Sequence, residues 1–282
     1  MTSETEHHMR VVDYYEKSKL GYDVLLWGSK HFGFYPNAVK DISEKRAQEL
    51  MQDLVAKNLN LMKDELVLDA GCGQGVVSAY LARKYGCDIV GITIVPFEVG
   101  KANKLARKLG VDKKVKYSVM DYSKTKFKHN QFDALYTMES FVHSPNSKKT
   151  LSEFFRVLKP GGRLAMFEYT IAEDGEFSNR EKRMLDLVIE KGAMASLRDM
   201  RHDSFPTALR KAGFVEVREQ NISQNCSPSL ERLRRLARLP YVFVKQFNLQ
   251  KNFVNVTAAI ECHKMARKDL VRYCIFTARK PR

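Results

Sequence analysis

Ten residues from Leu66 to Gly75, Leu-Val-Leu-Asp-Ala-Gly-Cys-Gly-Gln-Gly, carry the sharpest chemical signal in the chain. A short apolar run ends in an acid, Asp69. Glycines follow at 71, 73 and 75, and a helical pattern starts near Val76. Gly71 suits a tight turn, and Gly73 lets a ligand approach the backbone closely. The start of the following helix aims free N–H groups at that ligand. The third glycine comes one residue too early for the dinucleotide fingerprint, and no Lys-Ser/Thr follows as a phosphate-binding loop requires. Asp69, at the strand end, is placed to accept hydrogen bonds from a ligand ammonium group. This set suits an amino-acid-bearing nucleoside better than a diphosphate.

These residues need a scaffold, and the surrounding pattern supplies one. Ala47, Leu50, Met51, Leu54 and Val55 recur at helical spacing within 43–62. After 63, strands are expected at 65–69, 88–92, 115–119, 133–137 and 163–169, alternating with helices at 76–85, 97–109 and 148–157. Lys-Pro-Gly-Gly at 159–162 is expected to stop the last of these helices. Such alternation predicts a parallel sheet covered by helices on both faces. Later come helices at 181–192 and 203–212, a strand at 214–221, a basic helical stretch at 227–268 and a final strand at 271–277. The last two strands are expected to complete the sheet as an antiparallel pair. The stretch between them is then an inserted lid. Residues 1–9 are expected to be a loose tail, 10–62 an aromatic-rich N-terminal segment closing over the site, and 63–282 the main domain.

Composition narrows the class. The 282 residues are 44% hydrophobic and 29% charged, ordinary globular usage. The apolar runs fall far short of the roughly 20 residues that span a bilayer. The N-terminus has no apolar signal core, and the five cysteines form no CxxC pair. The expectation is a cytoplasmic chain with reduced thiols and no metal site. The net charge of +15 is unevenly spread: residues 101–128 carry +8 and residues 198–282 carry +11. Such asymmetry fits an anionic contact or simply a soluble, Lys-rich surface. Leu230, Leu233 and Ala237 share one face of a helix at 229–238 whose other faces carry Arg232, Arg234, Arg235 and Arg238. That helix is a candidate for resting on a membrane, for holding an acceptor diphosphate, or for ordinary packing.

The loop Leu-Asp-Ala-Gly-Cys-Gly-Gln-Gly resembles the nucleoside-binding loop of class I S-adenosylmethionine-dependent methyltransferases. The likeness is strong over about 60–170 and includes Asp121-Tyr122 and Arg-Val-Leu-Lys-Pro-Gly-Gly at 156–162. Leu26-Trp27-Gly28, His31 to Tyr35, and Met138-Glu-Ser-Phe-Val-His-Ser-Pro145 are similar to the tocopherol, sterol and glycoside O-methyltransferase branch. The resemblance implies a Rossmann-like seven-stranded α/β sheet, with an N-terminal helical segment and a helical lid before the last strand. It also implies S-adenosylmethionine as cofactor and a hydrophobic small molecule as acceptor. Asp69, Gly71, Gly73 and Gly75 would form the loop around the methionine moiety. Asp121 and Tyr122 would flank the adenine, and Glu139 would sit at the methionine end. Tyr15 and His31 would belong to the closing segment. Where many members place an acid for the ribose, this chain has Gly91-Ile92-Thr93-Ile94. Thr93 and Glu98 are then expected to share the ribose, with Ile94 packed on the adenine.

Methyl transfer from a sulfonium is an in-line displacement, in which alignment supplies much of the rate. A hydroxyl acceptor must also lose its proton. His143 is the candidate base, with Glu168 orienting its ring as a carboxylate does in hydrolase triads. O-methylation is the preferred expectation. C-methylation of a prenyl or sterol alkene stays open, with acids and aromatic rings steadying a carbocation. The charge also admits an RNA methyltransferase, although no RNA-binding appendage or Asn/Asp-Pro-Pro-aromatic motif is present. A non-catalytic cofactor-binding scaffold is the third alternative, and a homo-oligomer is an open expectation.

Overall fold

Leu66–Ala70 forms β1, buried along all but its first residue, in the interior of a seven-stranded sheet. The computed structural model describes residues 3–25, 31–38 and 40–282, without the side chains of 3 and 19–25. Leu26, Trp27, Gly28 and the side chain of Tyr22 therefore lie outside the described residues. β1 is followed by α3 (Val76–Tyr85), β2 (Asp88–Thr93), α4 (Pro96–Leu109), β3 (Val115–Val119) and β4 (Phe132–Met138). Then come α5 (Ser147–Val157), β5 (Leu158–Ile171), α6 (Asn179–Lys191), α7 (Phe205–Lys211) and β6 (Val215–Asn221). α8 (Ser223–Gln246) and α9 (Val254–Ala266) precede β7 (Val271–Arg279). The strand order is β3-β2-β1-β4-β5-β7-β6. Strands β1 to β5 run parallel, and β7 enters antiparallel between β5 and β6. This is the expected Rossmann-like architecture, with α8 and α9 inserted before the last strand.

The chain reverses its direction of travel across the sheet at β1, between β2 and β4. Ligands of open α/β sheets bind at such a switch point, beyond the carboxyl ends of the strands. Both faces of the sheet are buried. Phe141, Phe154, Phe205 and Phe276 fill one side, and Met51, Val55, Leu59 and Leu81 fill the other. The second side is covered partly by α2 (Glu44–Leu59), whose Ala47, Met51, Val55 and Leu59 are fully buried. Each large side chain there contributes about 1.5–3 kcal/mol by leaving water.

One expectation is corrected. Of the expected loose tail, residues 3–9 are helical, because α1 runs Ser3–Leu25. Its hydrophobic pattern is faint, and distant partners hold it instead. Lys149 pairs with Glu4 at 2.9 Å, and His7 Nε2 donates to the carbonyl of His143 at 2.9 Å. The helix before Lys-Pro-Gly-Gly ends at Val157 as expected, but the strand starts earlier than 163: the segment belongs to β5, where a register shift opposite Phe132 and Ala134 absorbs it.

Candidate active site

The glycine loop leaves the end of β1 and turns back on itself. The N–H groups of Gly71 and Cys72 both donate to the carbonyl of Ile92, at 2.9 Å each. Gly71 has φ +99°, and an added Cβ would stand 2.5 Å from Ser140 Oγ. Gly73, at φ +51°, faces the Glu98 carboxylate across open space, with nothing nearer its absent Cβ than 3.8 Å. Gly71 is thus required by packing, whereas Gly73 borders room for a ligand.

A cleft runs along this loop. Ten of the eleven expected cofactor residues line it: Tyr15, Asp69, Gly71, Gly73, Thr93, Ile94, Glu98, Asp121, Tyr122 and Glu139. Gly75 does not. It caps the start of α3, and a Cβ there would meet the Tyr117 ring at 2.7 Å. His31 also lines the cleft. Its Nδ1 donates to the Phe32 carbonyl at 2.9 Å, its Nε2 faces the Gln52 amide at 3.2 Å, and burial pushes its pKa down to about 4. It is therefore a neutral, positioning side chain.

Four carboxylates border the cleft, and among the described lining residues there is no Lys or Arg. Thr93 Oγ1 donates to Glu98 at 2.9 Å, so the two expected ribose residues act as one unit. Tyr136 donates to Asp69 at 2.6 Å, and burial pushes Asp69 up to about 7. Asp121 accepts from the Ser123 amide and hydroxyl and stands 3.3 Å from His8. This donor set fits S-adenosylmethionine: acids for an ammonium, a sulfonium and ribose hydroxyls, and, among the described residues, no Lys or Arg to hold a pyrophosphate. His8 escaped notice in the sequence because residues 1–9 read as a tail.

Glu139, which also lines the cleft, has φ +52°. A non-glycine residue in the left-handed region costs about 1–2 kcal/mol, so its neighbours must hold it. They do. Its amide donates to Phe167 at 2.9 Å. Oε1 accepts from the Phe32 amide at 2.8 Å and from Tyr273 at 3.0 Å, and Oε2 accepts from the Tyr169 hydroxyl. The rings of Phe32, Tyr169 and Tyr273 stand 5.2–6.0 Å apart around it. Burial pushes Glu139 up to about 7. Tyr169 and Tyr273 were missed from the sequence. They meet because β5 and β7 pair antiparallel with these two residues in register.

The expected base dyad does not form. His143 lines the cleft, but its Nδ1 lies 3.1 Å from the Ala193 carbonyl, which can only accept. The proton therefore sits on Nδ1, and in the neutral ring Nε2 accepts from the Tyr15 hydroxyl at 3.0 Å. Glu168 is fully buried and turned elsewhere: its Oε1 accepts the amides of Ser140 at 3.1 Å and Phe141 at 2.9 Å. It pins the loop carrying Glu139 rather than the imidazole, because alternation along β5 sends it to the face opposite Tyr169.

A second cavity, of about 320 Å³, opens on the far side of Glu139. Tyr14, Glu139, Tyr169 and Met194 line both spaces. Its other walls are mostly apolar and come from α6, α8, α9 and β7, including Leu185, Leu230, Leu233 and Val256. Leu230 and Leu233 thus face inward, and Arg234 and Arg235 pair with Glu231, at 2.6 and 2.9 Å. Arg272 is the one basic lining residue among those described, and Asp269 and Asp203 hold it at 2.5 and 3.2 Å.

Comparison with known proteins follows the same outline. Residues 68–166 match the family model described as a methyltransferase domain. The chain is 31% identical over 288 residues to an S-adenosyl-L-methionine-dependent Diels-Alderase, iccD, of Talaromyces variabilis, covering 99% of this chain and 98% of that protein. It is 30% identical over 228 residues to the sterol 24-C-methyltransferase of Kluyveromyces lactis, covering 77% of this chain but spanning only 59% of that relative. The crystal structure of the [4+2]-cyclase SpnF superposes with a TM-score of 0.78 at 26% identity, covering 96% of this chain and 95% of the other. The geranyl diphosphate C-methyltransferase of Streptomyces coelicolor shares the fold, with a TM-score of 0.74 at 17% identity over 97% of each chain.

Proposed function

This chain belongs to the class I S-adenosylmethionine-dependent methyltransferases that act on small molecules, and from that premise we propose that it methylates an alkene carbon of a neutral, hydrophobic acceptor. S-adenosylmethionine is its cofactor, held by the glycine loop, the Thr93–Glu98 pair and Asp121. When bound, it supplies an electrophilic methyl group.

One observation carries the reading. Glu139, a buried carboxylate ringed by Phe32, Tyr169 and Tyr273, stands where the cofactor cleft meets the apolar cavity. When an alkene attacks the methyl carbon, a C–C bond forms, the S–CH3 bond breaks and a carbocation is left on the acceptor. A carboxylate and three aromatic faces stabilise such a cation. Its loss of a proton to Glu139 restores an alkene, and a pKa near 7 suits that transfer at neutral pH. The apolar walls favour a hydrophobic acceptor. Because Arg272 is already neutralised, a neutral acceptor fits better than a diphosphate.

O-methylation with His143 as base is less well supported. Both ring nitrogens have protein partners, so a proton would have to pass through Tyr15. The deciding experiment incubates the enzyme with trideuteromethyl-labelled cofactor and a panel of terpenoid and sterol alkenes and alcohols. Label on carbon supports the proposal, and label on oxygen overturns it.

A second reading is favoured by the near full-length match to the Diels-Alderase and the likeness to the [4+2]-cyclase. In that reading the apolar cavity folds a diene onto its dienophile, two C–C bonds form, and the cofactor stays intact. Product formed without demethylated cofactor would select it.

A further inference from the structure

We infer that the outer end of the inserted α8–α9 hairpin docks on an anionic lipid surface. Eleven large apolar side chains are exposed among the described residues, and seven of them fall between Leu236 and Phe253. Leu239, Val242, Phe243 and Phe247 are 60–76% exposed. Leu236, Leu239 and Phe243, with Phe247 at the C-cap, follow helical spacing, so they share one side of α8 and its end. Ala237, Tyr241 and Val244 occupy the neighbouring face and pack on Ile260 of α9. The exposed face is therefore not the residue of poor packing: this helix has a buried side as well as an apolar outer one.

Charge identifies the occupant. From Arg232 to Ile260 the chain carries six Lys/Arg and no acid. Val242, 60% exposed, extends the apolar face on one side, and Arg238 and Lys245, both exposed, lie about 40–60° beyond it around α8, bordering that face, with no ion pair among the described residues. Exposed Phe and Leu bordered by unpaired cations match a helix lying in the plane of a bilayer interface with negative headgroups. The site meets the segment 229–238 singled out in the sequence only at its end, through Leu236 and Arg238, and that segment's Leu230 and Leu233 are spent on the inner cavity. Leu236 lines that cavity and is also 44% exposed, so the docking face adjoins the cavity wall. The inference does not depend on the acceptor or the reaction.

Sedimentation of the full chain with phosphatidylcholine vesicles, with and without phosphatidylserine, tests it. Binding is expected to the anionic vesicles, to weaken as salt is raised, and to fall about fivefold for each of Arg238→Gln and Lys245→Gln. Phe243→Ser with Phe247→Ser should release the protein from vesicles while leaving its affinity for S-adenosylmethionine within twofold. No binding by the wild type, or binding untouched by both pairs of substitutions, would overturn the inference. So would a concentration-dependent dimer that the Phe243→Ser/Phe247→Ser variant abolishes, since a second copy would then cover the face.

Discussion

Gly71 and Ser140 face each other across the base of the cofactor cleft with no room for a methyl group between them. Ser140 is fixed there because its hydroxyl donates to the Ala70 carbonyl at 2.7 Å. Gly71→Ala adds a Cβ 2.5 Å from Ser140 Oγ at a φ that side chains disfavour. Overpacking and backbone strain together are expected to cost about 2–4 kcal/mol of stability. Calorimetric titration should show cofactor affinity reduced at least tenfold. Ser140→Gly in the same chain should recover only part of the loss, because the φ penalty remains.

Glu139→Gln keeps the shape of the site and removes its charge. Turnover should fall by at least a hundredfold, with the cofactor dissociation constant changed by less than about fivefold. In the wild type, kcat should rise with pH through about 7 as Glu139 ionises. A glutamine variant with near-normal kcat would take Glu139 out of the chemistry.

Stability should depend on pH in two opposed ways. Burial raises Asp69, Glu139 and Glu168 to about 7, above the ordinary carboxylate range they regain on unfolding. The native state then holds more protons than the unfolded one between roughly pH 4.5 and 7. Their contribution is fully present below that window and is lost as pH rises through 7. Glu181 and Glu231, held at about 2 by Lys268 and Arg234, act oppositely, and their contribution is lost as pH falls from about 4.5 through 2. Thermal melts of the cofactor-free chain should therefore peak near pH 5. Added S-adenosylmethionine, being cationic, should raise Tm more at pH 8 than at pH 5.

Ser229 ties three segments together. Its hydroxyl accepts from the Gly33 amide at 2.9 Å and donates to Glu44 at 2.6 Å, and Glu44 also accepts from Tyr35 at 3.0 Å. Ser229→Ala leaves a buried amide without its acceptor and takes one of two hydroxyl donors from the buried Glu44 carboxylate. Denaturant unfolding should show a loss of about 1–3 kcal/mol. A smaller loss would mean that water enters in place of the hydroxyl.

The strands and the glycine loop were readable because their signals are local. Leu66 to Gly75 carries its own apolar run, acid and turn residues, and no distant partner is needed to interpret it. The environment of Glu139 was not readable in this way. Its acid was noticed, but its hydroxyl donors lie 30 and 134 positions away. They converge only because β7 pairs with β5 in one particular register. Glu168 shows the same limit: one step along β5 separates the acceptor side from the opposite face, and sequence gave no reason to prefer either. α1 was missed at its start because Glu4, His7 and His8 are held by Lys149, His143 and Asp121, and not by helical periodicity.

Among the described residues, only Tyr14, Glu139, Tyr169 and Met194 belong to both cavities. Most of the rest of the apolar cavity's wall hangs on α6, α8, α9 and the start of β7, and none of it on the glycine loop. Selection can thus rework what the chain accepts without disturbing what it uses as methyl donor. The lid is a replaceable mould set against a fixed tool, and four side chains form the joint between them.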